Sequence, residues 1–168
     1  DIDLDKKVYH SEMSHISRNR AIAYLLESKG YIEKNKDVEN SLHFYVKMCS
    51  LSVTAESLAG LGLILANDGI HPDTGKRLLS SQTVKIVKTL MFTCGMYDGS
   101  GEFAVRVGIP SKSGVGGGIL SVVDGEMGIG IFGPALDKKG NSVAGECVLE
   151  YMSHELHLHM FDPQRHTL

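Results

Sequence analysis

Apolar positions in the first two-thirds of the chain recur three and four residues apart; beyond about residue 94 they bunch into short runs rich in β-branched types. The first pattern predicts helices. Ile22, Leu25 and Leu26 mark the inward face of one over 17–29, with Ser17 as N-cap and Gly30 as a left-handed stop. Val38, Leu42, Tyr45 and Val46 mark a second over 37–49. A third, over 55–67, follows Thr54 as a cap and ends before Asp68-Gly69. Ser80 or Ser81 opens a fourth, with Val84, Val87, Leu90 and Met91 inward, which runs toward Tyr97. The second pattern predicts strands over 102–107, 118–123 and 127–132, the last two joined by the hairpin dipeptide Asp124-Gly125. Asn141 or Ser142 then caps a helix carrying Val143, Cys147, Val148, Met152 and Leu156 toward the sheet. The expectation is an α+β chain: about four helices, a three-stranded antiparallel sheet and a C-terminal helix, with the helical part over 11–93 and the sheet with its helix over 94–160.

Composition narrows the function. The net charge of −3 over 168 residues, with no basic cluster, argues against nucleic acid, which is bound by Lys and Arg neutralising phosphates. Cys49, Cys94 and Cys147 are odd in number, far apart and free of any C-x-x-C pair, so neither a disulfide framework nor a zinc knuckle is expected, and a reducing cytoplasm fits. The charged start, Asp1 to Lys7, has no signal-peptide core, and no apolar run reaches membrane-spanning length, so no membrane partner is expected. The missing initiator Met points to a polypeptide that begins upstream.

Four motifs carry little chemistry. The G-x-G-x-x-G of residues 128–133 lies in a strand and runs into Pro134, so its small residues are expected where helix and sheet pack closely. GIHPDTGK, residues 69–76, is one residue too long for a P-loop and lacks the following hydroxyl; it is read as a surface turn. His154, His157, His159 and His166 crowd a helix end without the convergence that metal ligation needs. Cys94 has no evident His to activate it and is expected to be a buried small hydrophobe.

The informative stretch runs from Cys94 to Gly101, followed by Lys112-Ser113-Gly114-Val115-Gly116-Gly117-Gly118. It places a tyrosine in a glycine-rich loop and a lysine, a hydroxyl and an uncovered backbone at the head of a strand. Behind Gly114, the Val115 N–H can donate to a developing oxyanion, worth on the order of 3 kcal/mol in an enzyme. Tyr97 can act as a base only if a neighbouring cation or donor stabilises its phenolate, and Lys112 is the candidate cation.

These blocks, together with Ser11-Glu12, Ser17-Arg18-Asn19, Phe44-Tyr45 before Cys49-Ser50, and Leu136-Asp137-Lys138-Lys139-Gly140-Asn141-Ser142, resemble in order the C-terminal part of the serine-dependent glutaminases. The resemblance runs from about Ser11 to Met160. It implies the fold of serine β-lactamases and penicillin-binding proteins, and hydrolysis of L-glutamine to L-glutamate and ammonia through a serine acyl-enzyme, without metal or organic cofactor. It also implies a homo-oligomer, dimer or tetramer. Glu12, Asn19, Tyr45, Tyr97 and Val115 match substrate-binding positions. Glu12 suits the substrate ammonium and Asn19 its carboxylate, Tyr45 closes a pocket wall, and Tyr97 relays the nucleophile's proton. Lys112, Ser113 and Gly114 support them.

The family's nucleophile stands in a Ser-x-x-Lys motif, and no Ser in these 168 residues is followed three positions later by Lys. The sequence therefore matches a half-site, and its N-terminal neighbour strands are expected to be missing from the sheet. The alternative is a non-catalytic glutamine-binding or interaction module of the same fold. A penicillin-interacting enzyme shares the Lys-hydroxyl-Gly strand but fits the Cys94 to Gly101 block and the Glu12 and Asn19 pair poorly.

Overall fold

The computed structural model describes residues 2–33 and 37–166; Asp1 and the His166 side chain lie outside the described residues. Two compact units emerge, Asp1–Val53 and Thr54–Leu168.

In the first unit, β1 (Asp3–Leu4) and β2 (Leu51–Ser52) form a short antiparallel pair, with α1 (Lys6–Ser14), α2 (Ser17–Ser28) and α3 (Val38–Cys49) between them in the chain. Asp5 caps α1 by accepting from the Lys7 and Val8 amides, and Asp37 caps α3 by accepting from Asn40. α1 is polar nearly throughout and buries no residue, so no hydrophobic period announces it. Ile16, Val38, Leu42 and Val46 form the core, with Tyr9, Met13, Ala23 and Ile32 packed against it. Two expectations fail on α2. Ile16, not Ser17, stands at its N-cap and makes no side-chain cap bond, and Ile22, Leu25 and Leu26 are exposed. Gly30 does adopt the left-handed conformation, φ +79.

The second unit is a three-stranded antiparallel sheet, β3 (Ser111–Ser113), β4 (Gly118–Val123) and β5 (Met127–Phe132), in the order β3-β4-β5. Around it lie α4 (Ala55–Ala66), α5 (Ser81–Cys94), α6 (Ser100–Arg106) and α7 (Val143–Glu155). Thr54, Ser80 and Ser142 cap α4, α5 and α7 through their hydroxyls. Strand alternation sends Leu120 and Val122 to one face, where they join Leu65, Val84 and Met91 of α4 and α5. Ile119, Val123 and Ile129 point to the other, against Phe103, Val107 and Leu149 of α6 and α7.

The stretch 102–107, expected as a strand, is helical. Its apolar residues also satisfy a four-residue spacing, and burial selects it: Phe103 and Val107 are buried together, whereas Val105, which an alternating strand would align with them, is 79% exposed. The first strand is instead the short polar segment β3, which no hydrophobic pattern marks. The Asp124-Gly125 hairpin forms with a loop of three residues, 124–126, Gly125 taking φ +75. On α7 the inward positions are Gly145, Leu149 and Ser153; Val143, Cys147, Val148 and Leu156 are exposed, as is Leu90 on α5.

The G-x-G-x-x-G run has the packing role expected of it. A Cβ on Gly128 would lie 2.1 Å from the Ala59 carbonyl oxygen, and one on Gly130 would lie 1.9 Å from that of Ala55. On the helix side, a Cβ on Gly62 would meet the Gly128 Cα at 2.8 Å. α4 therefore rests on β5 backbone to backbone. GIHPDTGK is a turn closed by the Ile70–Arg77 bridge. Among the described residues no helix is long and apolar enough to cross a membrane.

Candidate active site

α5 delivers the chain to the site. At its C-terminal end Gly95 lets the backbone touch β3, with the Gly95 carbonyl accepting from the Ser113 amide at 3.0 Å. The chain then turns through a single 3-10 turn, Tyr97–Gly99, into α6. Tyr97 sits at φ +51, a conformation that costs an L-residue about 1–2 kcal/mol. Local bonds hold it there: the Ser100 hydroxyl accepts from the Met96 amide at 3.0 Å and donates to the Tyr97 carbonyl at 2.8 Å. Ser100 escaped the sequence reading because its task depends on the turn that follows from it.

Alternation along β3 turns Lys112 outward and Ser113 inward, where the Ser113 side chain is buried and its hydroxyl has no protein partner. The Lys112 ammonium lies 4.8 Å from the Tyr97 ring centroid, over the aromatic face, and donates to the Ser113 carbonyl. From Gly114 the chain makes a tight turn, with the Gly114 amide donating to the Gly118 carbonyl and the Gly117 amide to that of Gly114. Val115 sits on its outer corner, 64% exposed, and among the described residues no group accepts from its N–H. The Val115 Cγ1 and the Tyr97 Cε2 both lie within 3.6 Å of the point where a Cβ on Gly140 would stand. Tyr97, Lys112 and Val115, read from sequence as one site, are thus brought together.

Glu12, Asn19 and Tyr45 belong to the first unit. Asn19, in the first turn of α2, and the half-exposed Tyr45 of α3 line one cavity of about 420 Å³, whose wall includes Ile22 and Leu26. Two of the three apolar residues expected on the inward face of α2, Ile22 and Leu26, thus face this cavity; Leu25 does not line it. Glu12 is exposed on α1 and is not part of that wall. α2 is tied to α3 by a forked ion pair that no motif indicated: Arg20 Nε and Nη2 donate to the two Glu39 oxygens at 2.9 and 3.1 Å, and the Tyr24 hydroxyl donates to Oε1 at 3.3 Å. Arg20 holds the Glu39 carboxyl below the usual range, and desolvation, then Glu39, raises the Tyr24 phenol.

The other candidates separate from the site. Cys94 is exposed, not buried: it ends α5 at the open apolar groove that Val87, Leu90 and Met91 also line, its thiol donating to the Leu90 carbonyl at 3.2 Å. His157 Nδ1 faces Asp162 at 3.1 Å and His154 Nδ1 faces Glu155 at 2.9 Å; among the described residues no three His, Cys, Asp or Glu converge as metal ligands.

The family model for glutaminase matches residues 1–161. The chain is 56% identical over 160 residues to a glutaminase of Clostridium tetani, covering 95% of this chain and 52% of the relative, and it is as close to one from Fusobacterium nucleatum with the same coverage. Among solved structures, the Bacillus subtilis glutaminase YbgJ, in covalent complex with 5-oxo-L-norleucine, superposes with a TM-score of 0.90 at 42% identity, covering 95% of this chain and 57% of that one. The chain spans about half the length of the curated relatives it matches.

Proposed function

Because the chain belongs to the glutaminase family and has its β-lactamase-like fold, we propose that it supplies one part of a glutaminase active site that hydrolyses L-glutamine to L-glutamate and ammonia. The convergence of Tyr97, Lys112 and Val115 carries this reading. In it, a serine from outside these 168 residues attacks the substrate amide carbon while Tyr97 relays the serine proton to the departing ammonia, and water then cleaves the resulting ester, releasing glutamate and returning the proton to the serine. Lys112 is the cation this role requires beside the phenol. The exposed Val115 N–H receives the negative charge that develops on the amide oxygen. Ser113, buried behind the strand, supports the turn, and Gly114 leaves the backbone open to substrate. Glu12 meets the substrate ammonium, Asn19 its carboxylate, and Tyr45 closes the wall of the cavity that Asn19 lines.

Residues 1–168 then form a portion of one glutaminase-type domain. Two surfaces support that reading. β5 is an outer strand of the sheet, where strands from the rest of such a domain would pair. An apolar groove of about 450 Å³, lined by Leu61, Leu90 and Cys94 and bordered by Lys112, suits a further segment. A cytoplasmic location and a dimer or tetramer belong to the same reading, resting on the cysteine pattern and the resemblance. The sequence's lack of Ser-x-x-Lys favours a non-catalytic binding role for this stretch in isolation.

The test is ammonia release from glutamine by two proteins: the 168 residues alone, and a hybrid in which they replace the matching half of the Clostridium tetani glutaminase. The chain alone is expected to stay at background and the hybrid to turn over. Turnover by the isolated chain would overturn the external nucleophile, and a folded, inactive hybrid would overturn the glutaminase reading.

A further inference from the structure

The segment after β5 crosses back over the Tyr97 turn. Its base is Asp137, whose Oδ1 accepts from the Lys139 and Asn141 amides at 2.9 and 2.8 Å; these bonds, that to Asn141 foremost, hold the carboxyl below the usual range. The Asp137 amide donates in turn to the Asn141 carbonyl, and Lys139 pairs with Glu102 of α6 at 2.7 Å. Asn141 itself is fully buried, an unusual place for an amide. Its Nδ2 donates at 3.1 Å to the Met96 carbonyl, the peptide group that leads into Tyr97, while its Oδ1 has no protein partner. The neighbouring Gly140, at φ +96, faces both catalytic candidates: a Cβ there would stand 3.4 Å from Val115 Cγ1 and 3.6 Å from Tyr97 Cε2. The positive φ favours glycine there, while both side chains stand at ordinary van der Waals distance from the position.

We infer that residues 137–141 form a positioning strap for the reaction, with Asn141 as its key positioning residue: it fixes the peptide before Tyr97 and, through Gly140, sets the spacing between the phenol and the Val115 N–H. This rests on the glutaminase reading above. Asn141 touches neither substrate nor reacting atoms. It acts by holding the unfavourable Tyr97 backbone together with Ser100, so that the phenol keeps one orientation rather than relaxing toward negative φ. Displacement of a reacting group by about 1 Å costs on the order of 100-fold in rate.

The experiment uses the Clostridium tetani hybrid and, separately, the 168-residue chain. In the hybrid, Asn141→Leu, matched in size but without the donor, and Asp137→Asn, which weakens the strap from its accessible base, are compared for kcat and KM and for folding by circular dichroism. The expected result is a kcat lower by about 100-fold for Asn141→Leu and by about 10-fold for Asp137→Asn, with KM within about twofold in both. In the chain alone, nuclear Overhauser contacts from the Tyr97 ring to the Val115 methyls are expected in the parent and are expected to weaken in both variants. Wild-type kcat in a folded Asp137→Asn hybrid, a rise in KM with unchanged kcat, or unchanged Tyr97 to Val115 contacts would each overturn the inference. An inactive parent hybrid would count against the glutaminase reading, while the contacts in the chain alone would still decide the strap.

Discussion

In the first unit three helices share a core of Ile16, Val38, Leu42 and Val46, and α1 and α2 bury no residue completely. In the second, a sheet is covered on both faces, and its largest buried side chains, Met96, Ile109, Ile119 and Leu149, are at most 1% exposed. The first unit therefore depends in part on exposed polar ties such as Arg20 to Glu39, which solvent and salt weaken. The second depends on steric fit, which they do not. The candidate site residues inherit the difference. Asn19 and Tyr45 line a cavity between helices joined by an ion pair, whereas Tyr97, Lys112 and Val115 are mounted on strand, capped helix end and strap. A close-packed scaffold holds catalytic geometry; a looser one suits residues that adapt to a substrate's end.

The largest expected effect tests the fit of the second unit. Gly130→Val drives a branched side chain into the α4 backbone and is expected to cost more than about 3 kcal/mol, read from urea denaturation and from lost hydrogen-exchange protection of the α4 and β5 amides. Retained protection would show that α4 is not seated as tightly as the comparison requires. Next comes a matched pair of truncations. Leu149→Ala, in the fully buried cluster of the second unit, should cost about 3–4 kcal/mol, and Leu42→Ala, in the smaller core, about 2 kcal/mol. If Leu42→Ala proves the more damaging, the contrast between the two cores fails.

The smallest effect is electrostatic. Glu39 titrates low because Arg20 donates to it, so its contribution is present above about pH 4 and is lost as pH falls through its depressed folded value. Glu146 at the start of α7 is shifted upward, first by burial and then by Asp137, with Arg106 opposing; its ionised form costs stability, and acid relieves that cost. Lowering pH from about 6 toward 4 should reduce amide protection in α2 and α3 more than in the first turn of α7, and added salt should narrow the gap. An equal response in both would remove the electrostatic part of the distinction.

Sequence periodicity located α3, α4, α5, β4 and β5 because each has an apolar face matched to its own period, and Thr54 marked a start; α7 was located although most apolar positions assigned to its inner face are exposed, and Ser80 and Ser142 were each one of two candidate caps. It failed where tertiary burial chooses between two periods that a short segment satisfies equally, as at Phe103, Val105 and Val107. It also failed where an element's inward face is only a pair of half-buried residues, as Tyr9 and Met13 in α1, or is polar, as in β3. The grouping of Tyr97 with Lys112 and Val115 was legible because those residues are close in the chain. The bond from Asn141 to Met96 was not, since it joins positions 45 residues apart and its donor is an ordinary amide in a turn.

The seam of α4 on β5 also limits which length changes the chain can tolerate. Gly128 and Gly130 face the helix and Ile129 the opposite cluster, so sliding β5 by one residue would exchange bare backbone for isoleucine against Ala55 and Ala59. The 124–126 loop cannot absorb that slip freely, because the Gly125 amide is anchored to the Ala66 carbonyl at the end of the same helix. A slip of one residue is forbidden by parity, and a slip of two would bring Glu126 or Phe132 to one of the two glycine places, where a Cβ meets the α4 backbone. The strand therefore has a single register under the helix, and length changes in this hairpin should be poorly tolerated whatever their parity.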